Sequence, residues 1–444
     1  MKTDAILPAV RALIALATFT VLAACSADLA APRNKPDAGQ LAFGPAQSLG
    51  AVENNPSTPF LRYASDRRLF AIWTEDHENP WPKGRPAGHA QGGDRMASPM
   101  RNAVISWSPD DGKSWSPSKH VNSVVEAVQG EENGPKIAIG SDQRTYVVWS
   151  IPGAKGDKTR ANIRFAMDDG KGGFTPARTL NEVKDAARFP IIEVSPDGNL
   201  LVAWIDRRMD NPQPRQLYLM RVASNGQAIS KNYQVGEGLC ECCKLGISFA
   251  DGGNTVYMVD REVDRSKIRN HVMRKSIDGG KTFGASVEIS DDGWQVPSCP
   301  HSGPSLGRDR RGWLHVSWFT LGRSEREAGI YYSVSKDGGN TFAPRRLVQA
   351  NTAPEILYNN LAVGSDDTVY LAWSNLDAHN NAQIYLRTIS ADGRTWSAIQ
   401  QVSNAKGNAS RPTLALGNGR VHVAWTETDG EESRVVLRSA PLGR

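Results

Sequence analysis

Residues 335–342 read SKDGGNTF, and nearly the same eight letters return at residues 276–283 as SIDGGKTF. Related stretches stand at 106–115 (SWSPDDGKSW) and 390–396 (SADGRTW), with a looser version, DDGKGGF, at 168–174. The Asp of each stretch can accept hydrogen bonds from the backbone of its own turn, and the Gly can adopt the positive φ that a tight hairpin demands. These stretches therefore predict tight turns between antiparallel strands, each followed by an aromatic residue that fills a hydrophobic slot.

A second feature recurs together with the turns: an apolar strand that ends in Val-x-x-Trp or a close variant. The last residue is Trp73, Trp149, Trp204, Trp318, Trp373 or Trp425, and Asp260 takes its place in a degenerate copy. Recurrence at this spacing is typical of propellers and solenoids. Because each copy supplies four strands, the sequence predicts an all-β propeller of seven four-stranded blades, with six blades as the alternative.

The two ends of the chain predict how such a ring closes. After Trp425 the last copy has only one further strand, at 434–438, whereas residues 43–49 (FGPAQSL) look like the segment that follows a turn in other copies. Pairing these two segments would complete the last blade with an N-terminal outer strand, and it would remove an exposed sheet edge.

The repeated turns resemble the Asp-box, or BNR, repeat of bacterial sialidases and related propellers, and the resemblance extends over residues 41–444. It implies one sialidase-like β-propeller domain over that range. Sialidases that share the repeat have six blades, so both blade counts stay open. The repeat also occurs in propellers that cleave nothing, and it therefore says more about fold than about chemistry.

The start of the chain resembles the leader of an exported bacterial lipoprotein. Residues 1–24 are positive, then apolar, and end in Leu-Ala-Ala before Cys25, as a lipobox does. This resemblance implies a signal peptide at 1–24, lipidation of Cys25 and a flexible tether at 25–40. The apolar run is too short to span a membrane, so the lipid would be the only anchor. The residue after Cys25 is Ser26 and not Asp, which in lipoproteins of this kind suggests sorting to the outer membrane.

Charge and composition restrict the partners. The chain has 52 Lys and Arg against 47 Asp and Glu, a formal charge of +5, and the basic residues are scattered along it. A nucleic acid is therefore not an expected partner. No stretch resembles an interdomain linker, and we expect a monomer. The partners that remain are a glycan, a metal ion or another protein of the cell envelope.

Cysteines and one histidine form the densest cluster of reactive residues. Cys240, Cys242 and Cys243 precede the first strand of the fourth copy, while Cys299 and His301 precede that of the fifth. Adjacent blades would present both segments at one rim. Disulfides are the default for exported thiols, with Cys240–Cys243 and Cys242–Cys299 as the least awkward pairing. A metal or redox site suited to Cu(I) or Zn(II) and inert thiols are the other two interpretations.

The resemblance to sialidases also implies a set of catalytic residues. In that family three arginines clamp the sugar carboxylate, a Tyr paired with a Glu is the nucleophile, and an Asp is the acid/base. A planar, forked guanidinium suits a carboxylate because the two groups form paired hydrogen bonds. The candidates on the same rim are Arg188, Arg411, Tyr358, Glu355 and Asp206, followed by Arg207, Arg208, Arg261 and Asp260.

Two functions follow from these residues. Sialidases resemble one another in an Arg-Ile-Pro-type motif on the first blade, where this chain has Ser57-Thr58-Pro59. This departure favours a membrane-anchored propeller that binds a ligand, a metal or a partner through the Cys/His cluster and cleaves nothing. The alternative is an exo-α-sialidase-type glycoside hydrolase that releases terminal acidic sugars.

Overall fold

The computed structural model describes residues 40–77, 100–154, 160–209, 215–240, 243–295, 301–351 and 357–442. These residues all belong to one compact unit of the chain. Their regular structure is almost entirely β-strand, with a few 3₁₀ turns. Within these ranges no helix has the length and apolar character that crossing a membrane requires. The predicted signal peptide, Cys25 and nearly all of the predicted tether lie outside the described residues.

Groups of four strands succeed one another along the chain. After β1 (Gln47–Leu49), group 1 comprises β2 (Ser57–Tyr63), β3 (Leu69–Asp76), β4 (Arg101–Ser108) and β5 (Lys119–His120). Group 2 comprises β6 (Lys136–Ile139), β7 (Thr145–Pro152), β8 (Ala161–Met167) and β9 (Arg178–Thr179). Group 3 comprises β10 (Ala187–Val194), β11 (Leu200–Asp206), β12 (Arg215–Val222) and β13 (Tyr233–Leu239).

The remaining groups repeat this order. Group 4 comprises β14 (Gly246–Ala250), β15 (Thr255–Val263), β16 (Ile268–Ser276) and β17 (Val287–Glu288), with β18 (Trp294–Gln295) beside β16. Group 5 comprises β19 (Ser305–Arg308), β20 (Leu314–Thr320), β21 (Gly329–Ser335) and β22 (Arg346–Ala350). Group 6 comprises β23 (Asn359–Val363), β24 (Val369–Leu376), β25 (Ala382–Ile389) and β26 (Gln400–Gln401). Group 7 comprises β27 (Asn408–Gly417), β28 (Arg420–Asp429) and β29 (Glu432–Pro441), with β1 as its outer strand.

Neighbouring strands of a group pair antiparallel, which confirms the all-β prediction. Within the described ranges, groups 1, 2, 5, 6 and 7 are separate four-stranded sheets, whereas groups 3 and 4 join through the pair Leu239 and Glu262. The degenerate copy around Asp260 therefore forms a strand group like the others. The predicted pairing of the chain ends is also found, because Gln47 lies opposite Leu437 and Leu49 opposite Val435.

The first strands of the groups contact one another in a cycle. Each of β2, β6, β10, β14, β19 and β23 contacts the next first strand, and β27 contacts β2. Hydrogen bonds reinforce these contacts: the Thr58 N–H donates to Thr426 Oγ1 at 2.9 Å, and the Glu131 N–H donates to Thr58 Oγ1 at 3.0 Å. The Phe189 N–H likewise donates to Asn133 Oδ1 at 2.8 Å. Groups 7, 1, 2 and 3 are thus joined side by side through side chains that satisfy buried backbone donors.

The six repeated tryptophans are at most 1 % exposed, and they lie in hydrophobic clusters, several of which combine neighbouring groups. A buried indole N–H needs an acceptor. Three of them find it two residues further along the same strand: Trp73 donates to Glu75 at 2.7 Å, Trp204 to Asp206 at 2.9 Å, and Trp425 to Glu427 at 3.1 Å. An acidic residue at this position therefore satisfies the buried indole N–H of the core.

The repeated turns have the predicted chemistry. Asp337 Oδ1 accepts the backbone N–H of Thr341 at 3.0 Å, and its Oδ2 accepts the Thr341 hydroxyl at 2.6 Å. These bonds, with the hydroxyl contribution first, lower the pKa of Asp337 to about 2. Gly339 has a φ of 84°, which an L side chain rarely adopts. The aromatic residue that closes the turn, Phe342, packs against a hydrophobic cluster as expected.

Group 4 replaces the buried tryptophan by an ion pair. The Asp260 carboxylate accepts a hydrogen bond from Arg274 Nε at 2.9 Å, and Arg274 also contacts Glu262 at 2.5 Å. Gly236 of group 3 makes room for this guanidinium, because a Cβ there would lie 2.6 Å from Arg274 Cζ. Burial raises the pKa of Asp260 to about 6, against the opposing effect of Arg274.

We expect the protein to lose stability as the pH falls from 7 towards 4. His271 and His422 are fully buried, and burial lowers the pKa of each to about 4. An unfolded chain with ordinary histidine pKa values of about 6.5 binds protons in this range that the folded chain does not, so the free energy of unfolding decreases. The loss is about 3 kcal/mol for each histidine at pH 4.

Urea unfolding followed by tryptophan fluorescence at a series of pH values checks this expectation. His422→Gln should make the loss on acidification clearly smaller, whereas the same change at the exposed His379 should not. Asp260 acts in the opposite direction, because a carboxyl whose pKa is raised to about 6 stabilises the fold as it takes up its proton below that pH. An unchanged pH dependence in His422→Gln would contradict the assignment.

Candidate functional site

The strand register aligns equivalent residues of all the first strands. In each group, one residue of the first strand pairs with the residue immediately before the repeated Trp of the second strand. In group 4, where Asp260 replaces the Trp, the partner is the residue immediately before Asp260. We call these residues the second layer: Phe60, Lys136, Ile191, Gly246, Ser305, Asn360 and Thr413. Two positions earlier in the chain is the mouth layer: Thr58, Gly134, Phe189, Lys244, Gly303, Tyr358 and Arg411. Because the first strands contact one another in a cycle, each layer lies around the space between them.

Three residues of the mouth layer have a strained backbone. Thr58, Phe189 and Arg411 have φ values of 58°, 55° and 55°, and each precedes a proline at a point where the strand register shifts. Nearby, Glu131 and His301 have φ values of 59° and 48°. A positive φ costs a residue with a Cβ about 1–2 kcal/mol, and such strain persists where the surrounding structure imposes it, often at binding sites.

Arg411 and Tyr358 form the central contact of the site. Arg411 Nη2 donates to the Tyr358 hydroxyl at 3.1 Å, and its guanidinium carbon lies 4.6 Å from the centre of the tyrosine ring. Glu131 Oε1 lies 3.7 Å from the same guanidinium. Arg411 Nε is buried and has no hydrogen-bond partner among the residues described. Its Nη1 donates to Ser410 Oγ at 3.4 Å, and the side chain as a whole is 25 % exposed, so a ligand can reach part of the guanidinium.

The Tyr358 hydroxyl is a hydrogen-bonding group more than a nucleophile. Burial raises its pKa, and this effect outweighs the opposing charge of Arg411. The phenol therefore keeps its proton at neutral pH and can donate it to a ligand oxygen. Glu355, the predicted partner of this tyrosine, lies outside the described residues.

His301 and Arg188 both contact the Phe189 ring. The His301 ring meets the Phe189 ring edge-on at 6.2 Å, and the Arg188 guanidinium lies 4.7 Å from the centre of the same ring. Burial and then the charge of Arg188 lower the pKa of His301, so its imidazole is neutral at pH 7. In the described part of the chain, His301 Nδ1 is buried without a hydrogen-bond partner.

Arg261 connects the two cysteine segments. This arginine is only 1 % exposed. Its Nη1 contacts Cys243 Sγ at 3.4 Å, and its Nη2 donates to the backbone carbonyls of Ser302 at 2.7 Å and Phe319 at 3.0 Å. The segment that follows Cys299 thus lies beside the segment that holds Cys243. Cys299 itself, like Cys242, lies outside the described residues.

Cys240 and Cys243 are buried in a hydrophobic cluster. The positive charge of Arg261 beside Cys243 Sγ opposes the binding of a second cation to that sulfur. Among the residues with described positions, no group of three or more His, Cys, Asp or Glu side chains is arranged to hold a metal ion. Cys240 and Cys243 are not joined to each other by a disulfide. The Cys242–Cys299 disulfide and the Cu(I) or Zn(II) site stay predictions, because each needs residues outside the described ranges.

The other acidic and basic candidates lie in structural contacts. Asp206 is fully buried, accepts the Trp204 indole N–H and receives Arg208 Nε and Nη2 at 2.9 Å each. Arg208 also lies 3.6 Å from the centre of the Tyr218 ring. The Asp206 carboxylate is thus occupied by the core of group 3. Asp260 is occupied by Arg274 in the same way, and Arg207 follows Asp206 at the end of β11.

Four charged residues at the mouth were not among the predicted site residues. Glu131, Glu132, Lys136 and Lys244 are close enough to influence the pKa values of one another, of His301 or of Tyr358. A signal was present: the sequence GEENGP at 130–135 ends in a proline that starts an apolar strand, as the segments of Phe189 and Arg411 do. Because all three segments stand just before the first strand of their group, the sequence could have indicated that their side chains meet at one rim.

No protein-family model and no curated protein matches the chain. Among solved structures, the polysaccharide lyase Uly1 has a TM-score of 0.55 at 12 % identity, over 87 % of this chain and 90 % of the lyase. The NanB sialidase from Streptococcus pneumoniae has a TM-score of 0.49 at 12 % identity, over 90 % of this chain and 70 % of NanB. A protein of unknown function from Dyadobacter fermentans has a TM-score of 0.46 at 14 % identity, over 69 % and 94 %. With identities this low the likeness concerns the fold alone, and the match to Uly1 supports a fold shared with that lyase.

Proposed function

We propose that this protein binds an acidic carbohydrate at the mouth layer, through Arg411, Arg188 and Lys244. The observation that carries the proposal is the Arg411 guanidinium, which is braced by Tyr358 and still has a buried Nε without a described partner. A guanidinium held in this way suits a carboxylate, since both groups are planar and forked. The His301 Nδ1 atom nearby is a second unused polar group that a sugar hydroxyl can satisfy.

The charges at the mouth favour an anion. Arg188, Arg411 and Lys244 are positive, and the neutral His301 adds no charge at pH 7. Glu131, which is exposed and lies 3.7 Å from Arg411, and Glu132, which acts on Lys244, offset part of this charge. A recess with excess positive charge and little water attracts anionic ligands more strongly than an open surface does.

Binding is favoured over hydrolysis. A tyrosine nucleophile must lose its proton, whereas burial raises the pKa of Tyr358. The Asp206 carboxylate, a candidate acid/base, is fully buried and occupied by Trp204 and Arg208. The likeness to Uly1, named a polysaccharide lyase, and the sialidase resemblance both support a carbohydrate as the ligand class. An exo-α-sialidase-type hydrolase remains the alternative.

We further propose that the strand groups are the blades of a closed seven-bladed propeller, exported and anchored to the bacterial outer membrane by lipid on Cys25. The cyclic contacts of the first strands and the pairing of β1 with β29 support the closure. The leader sequence before Cys25 supports the anchor. A Cys25→Ala variant should appear in the soluble fraction of the envelope if the anchor is lipid.

Isothermal titration calorimetry with paired ligands tests the binding function. We expect tri-galacturonate or sialyllactose to bind, and the methyl ester of tri-galacturonate and lactose, which lack the carboxylate, to bind at least 10-fold more weakly. The affinity should fall as salt is added. Equal affinity for charged and neutral partners would contradict the proposal. Release of sialic acid that is abolished in Tyr358→Phe would instead establish the hydrolase.

A further inference from the structure

Glu131 lies on a turn that two other strand groups hold in place. The turn Glu131–Asn133 is part of the link between group 1 and group 2. The Glu131 N–H donates to Thr58 Oγ1 at 3.0 Å, and Asn133 Oδ1 accepts the Phe189 N–H at 2.8 Å. Gly134, which ends the turn, packs on Thr58, because a Cβ there would collide with Thr58 Cγ2. The first strands of groups 1 and 3 therefore fix this turn.

The backbone of Glu131 is strained. Its φ is 59°, in the left-handed region that a residue with a Cβ rarely adopts. Glycine or asparagine would tolerate this conformation better. The Glu131 side chain does not offset the strain by packing in the core, since it is 61 % exposed and lies beside Arg411. A strained residue with an exposed side chain at the mouth layer indicates a role in ligand binding.

The contact between Glu131 and Arg411 is weak. Glu131 Oε1 lies 3.7 Å from Arg411 Nη2, whereas a charge-assisted hydrogen bond is about 2.7–2.9 Å long. An exposed ion pair of this kind contributes little to the stability of a fold. The Tyr358 hydroxyl, 3.1 Å from the same nitrogen, and the tyrosine ring already hold the guanidinium. Glu131 is therefore a poor support for Arg411.

Glu131 lies next to the edge of Arg411 that suits a ligand carboxylate. Nε and Nη2 are the two donors on one edge of a guanidinium, and a carboxylate can pair with both. Arg411 Nε is buried without a described hydrogen-bond partner, and Glu131 lies beside Nη2. Two carboxylates at one guanidinium repel each other. A ligand carboxylate can therefore pair with this edge only when the Glu131 side chain turns away, which its exposure allows.

We propose that Glu131 is an internal competitor for Arg411 that limits the affinity of the mouth layer for acidic sugars. This inference rests on the proposed function. In the empty site the Glu131 carboxylate takes the place of the ligand carboxylate, and an acidic sugar displaces it. The displacement costs part of the binding free energy, so the ligand is released more readily. A neutral sugar leaves the contact between Glu131 and Arg411 intact.

Calorimetry on Glu131→Gln tests the competition, because glutamine keeps the length of the side chain and removes its charge. We expect the variant to bind tri-galacturonate about 5-fold more tightly than the wild type and the methyl ester with unchanged affinity. The matched control is Glu325→Gln, since Glu325 is exposed and also begins a 3₁₀ turn. This control should bind tri-galacturonate as the wild type does. Weaker or unchanged binding in Glu131→Gln, or an equal gain in both variants, would overturn the proposal.

Acetate separates this proposal from the proposed function. In protein labelled with ¹⁵N-arginine, the Nε–H resonance of Arg411 is the one that Arg411→Gln lacks. We expect acetate to shift this resonance at an about 5-fold lower concentration in Glu131→Gln than in the wild type. If it does so and no carbohydrate binds, the proposed function is rejected and the competition is kept.

The opposite result is equally clear. If tri-galacturonate binds but acetate shifts the Arg411 resonance equally in both proteins, the competition is rejected and the proposed function is kept. If acetate shifts the resonance in neither protein, Arg411 does not bind carboxylates and the competition is rejected as well. Should Glu131→Gln not fold, Glu131→Asn serves in both experiments, because asparagine tolerates a positive φ.

Discussion

Arg411→Gln is expected to weaken the binding of tri-galacturonate about 100-fold. Glutamine keeps much of the length of the side chain but loses the charge and the forked donors that pair with a carboxylate. The loss corresponds to about 3 kcal/mol, the upper range for a hydrogen bond to a charged group. Calorimetry on the wild type and the variant measures it.

The matched control is Arg394→Gln. Arg394 lies exposed in one of the repeated turns, on the opposite side of the strand groups from Arg411. Its replacement changes the net charge by the same amount but leaves the mouth layer intact. If both variants weaken binding to the same extent, the effect is general electrostatics and Arg411 is not the carboxylate site. Because Arg411 is partly exposed, its replacement should leave the thermal unfolding midpoint close to that of the wild type.

Arg261→Met is expected to lower the free energy of unfolding by about 3–5 kcal/mol. The methionine cannot satisfy His271 Nε2, which lies 3.1 Å from Arg261 Nε, or the carbonyls of Ser302 and Phe319. It also removes the guanidinium that lies 4.9 Å from the centre of the Trp294 ring. Buried acceptors that lose their donor carry the full desolvation penalty. Urea unfolding monitored by tryptophan fluorescence gives the value.

Arg265→Met provides the comparison, because Arg265 is exposed at the tip of the same hairpin. That variant should stay within about 0.5 kcal/mol of the wild type. A loss below 1 kcal/mol in Arg261→Met would show that the guanidinium is not what joins the Cys243 and Ser302 segments. If Arg261→Met does not fold, Arg261→Lys, which retains the charge but loses the planar fork, gives a measurable intermediate loss.

The fold could be predicted from sequence because its determinants are local. The turn around Asp337 and Gly339 depends on residues within eight positions, and the Trp at the end of each second strand marks a core position wherever it occurs. The pairing of β1 with β29 is not local, yet it followed from counting strands. The copy around Asp260, which lacks the indole, still forms its strand group: Asp260 pairs with Arg274, and Gly236 leaves room for that guanidinium.

The site was predicted only in part, for two physical reasons. Arg188, Arg411, Tyr358 and His301 do gather at the mouth, but Lys136 and Lys244 are recognised there only once the strand register is known. Asp206 shows the second reason. An acidic residue at a strand end looks like a catalytic carboxylate in the sequence, whereas the buried Trp204 indole requires an acceptor at that position. The sequence alone does not distinguish a catalytic carboxylate from an acceptor for a buried indole N–H.

The crystal structure of the wild-type protein with tri-galacturonate tests the central claim most directly. We predict that a carboxylate of the ligand lies within hydrogen-bonding distance of Arg411 Nε, with the Tyr358 hydroxyl and His301 in contact with the same sugar. A ligand bound at the turns around Asp337, or anywhere else while the mouth layer stays empty at saturating concentration, would contradict the account.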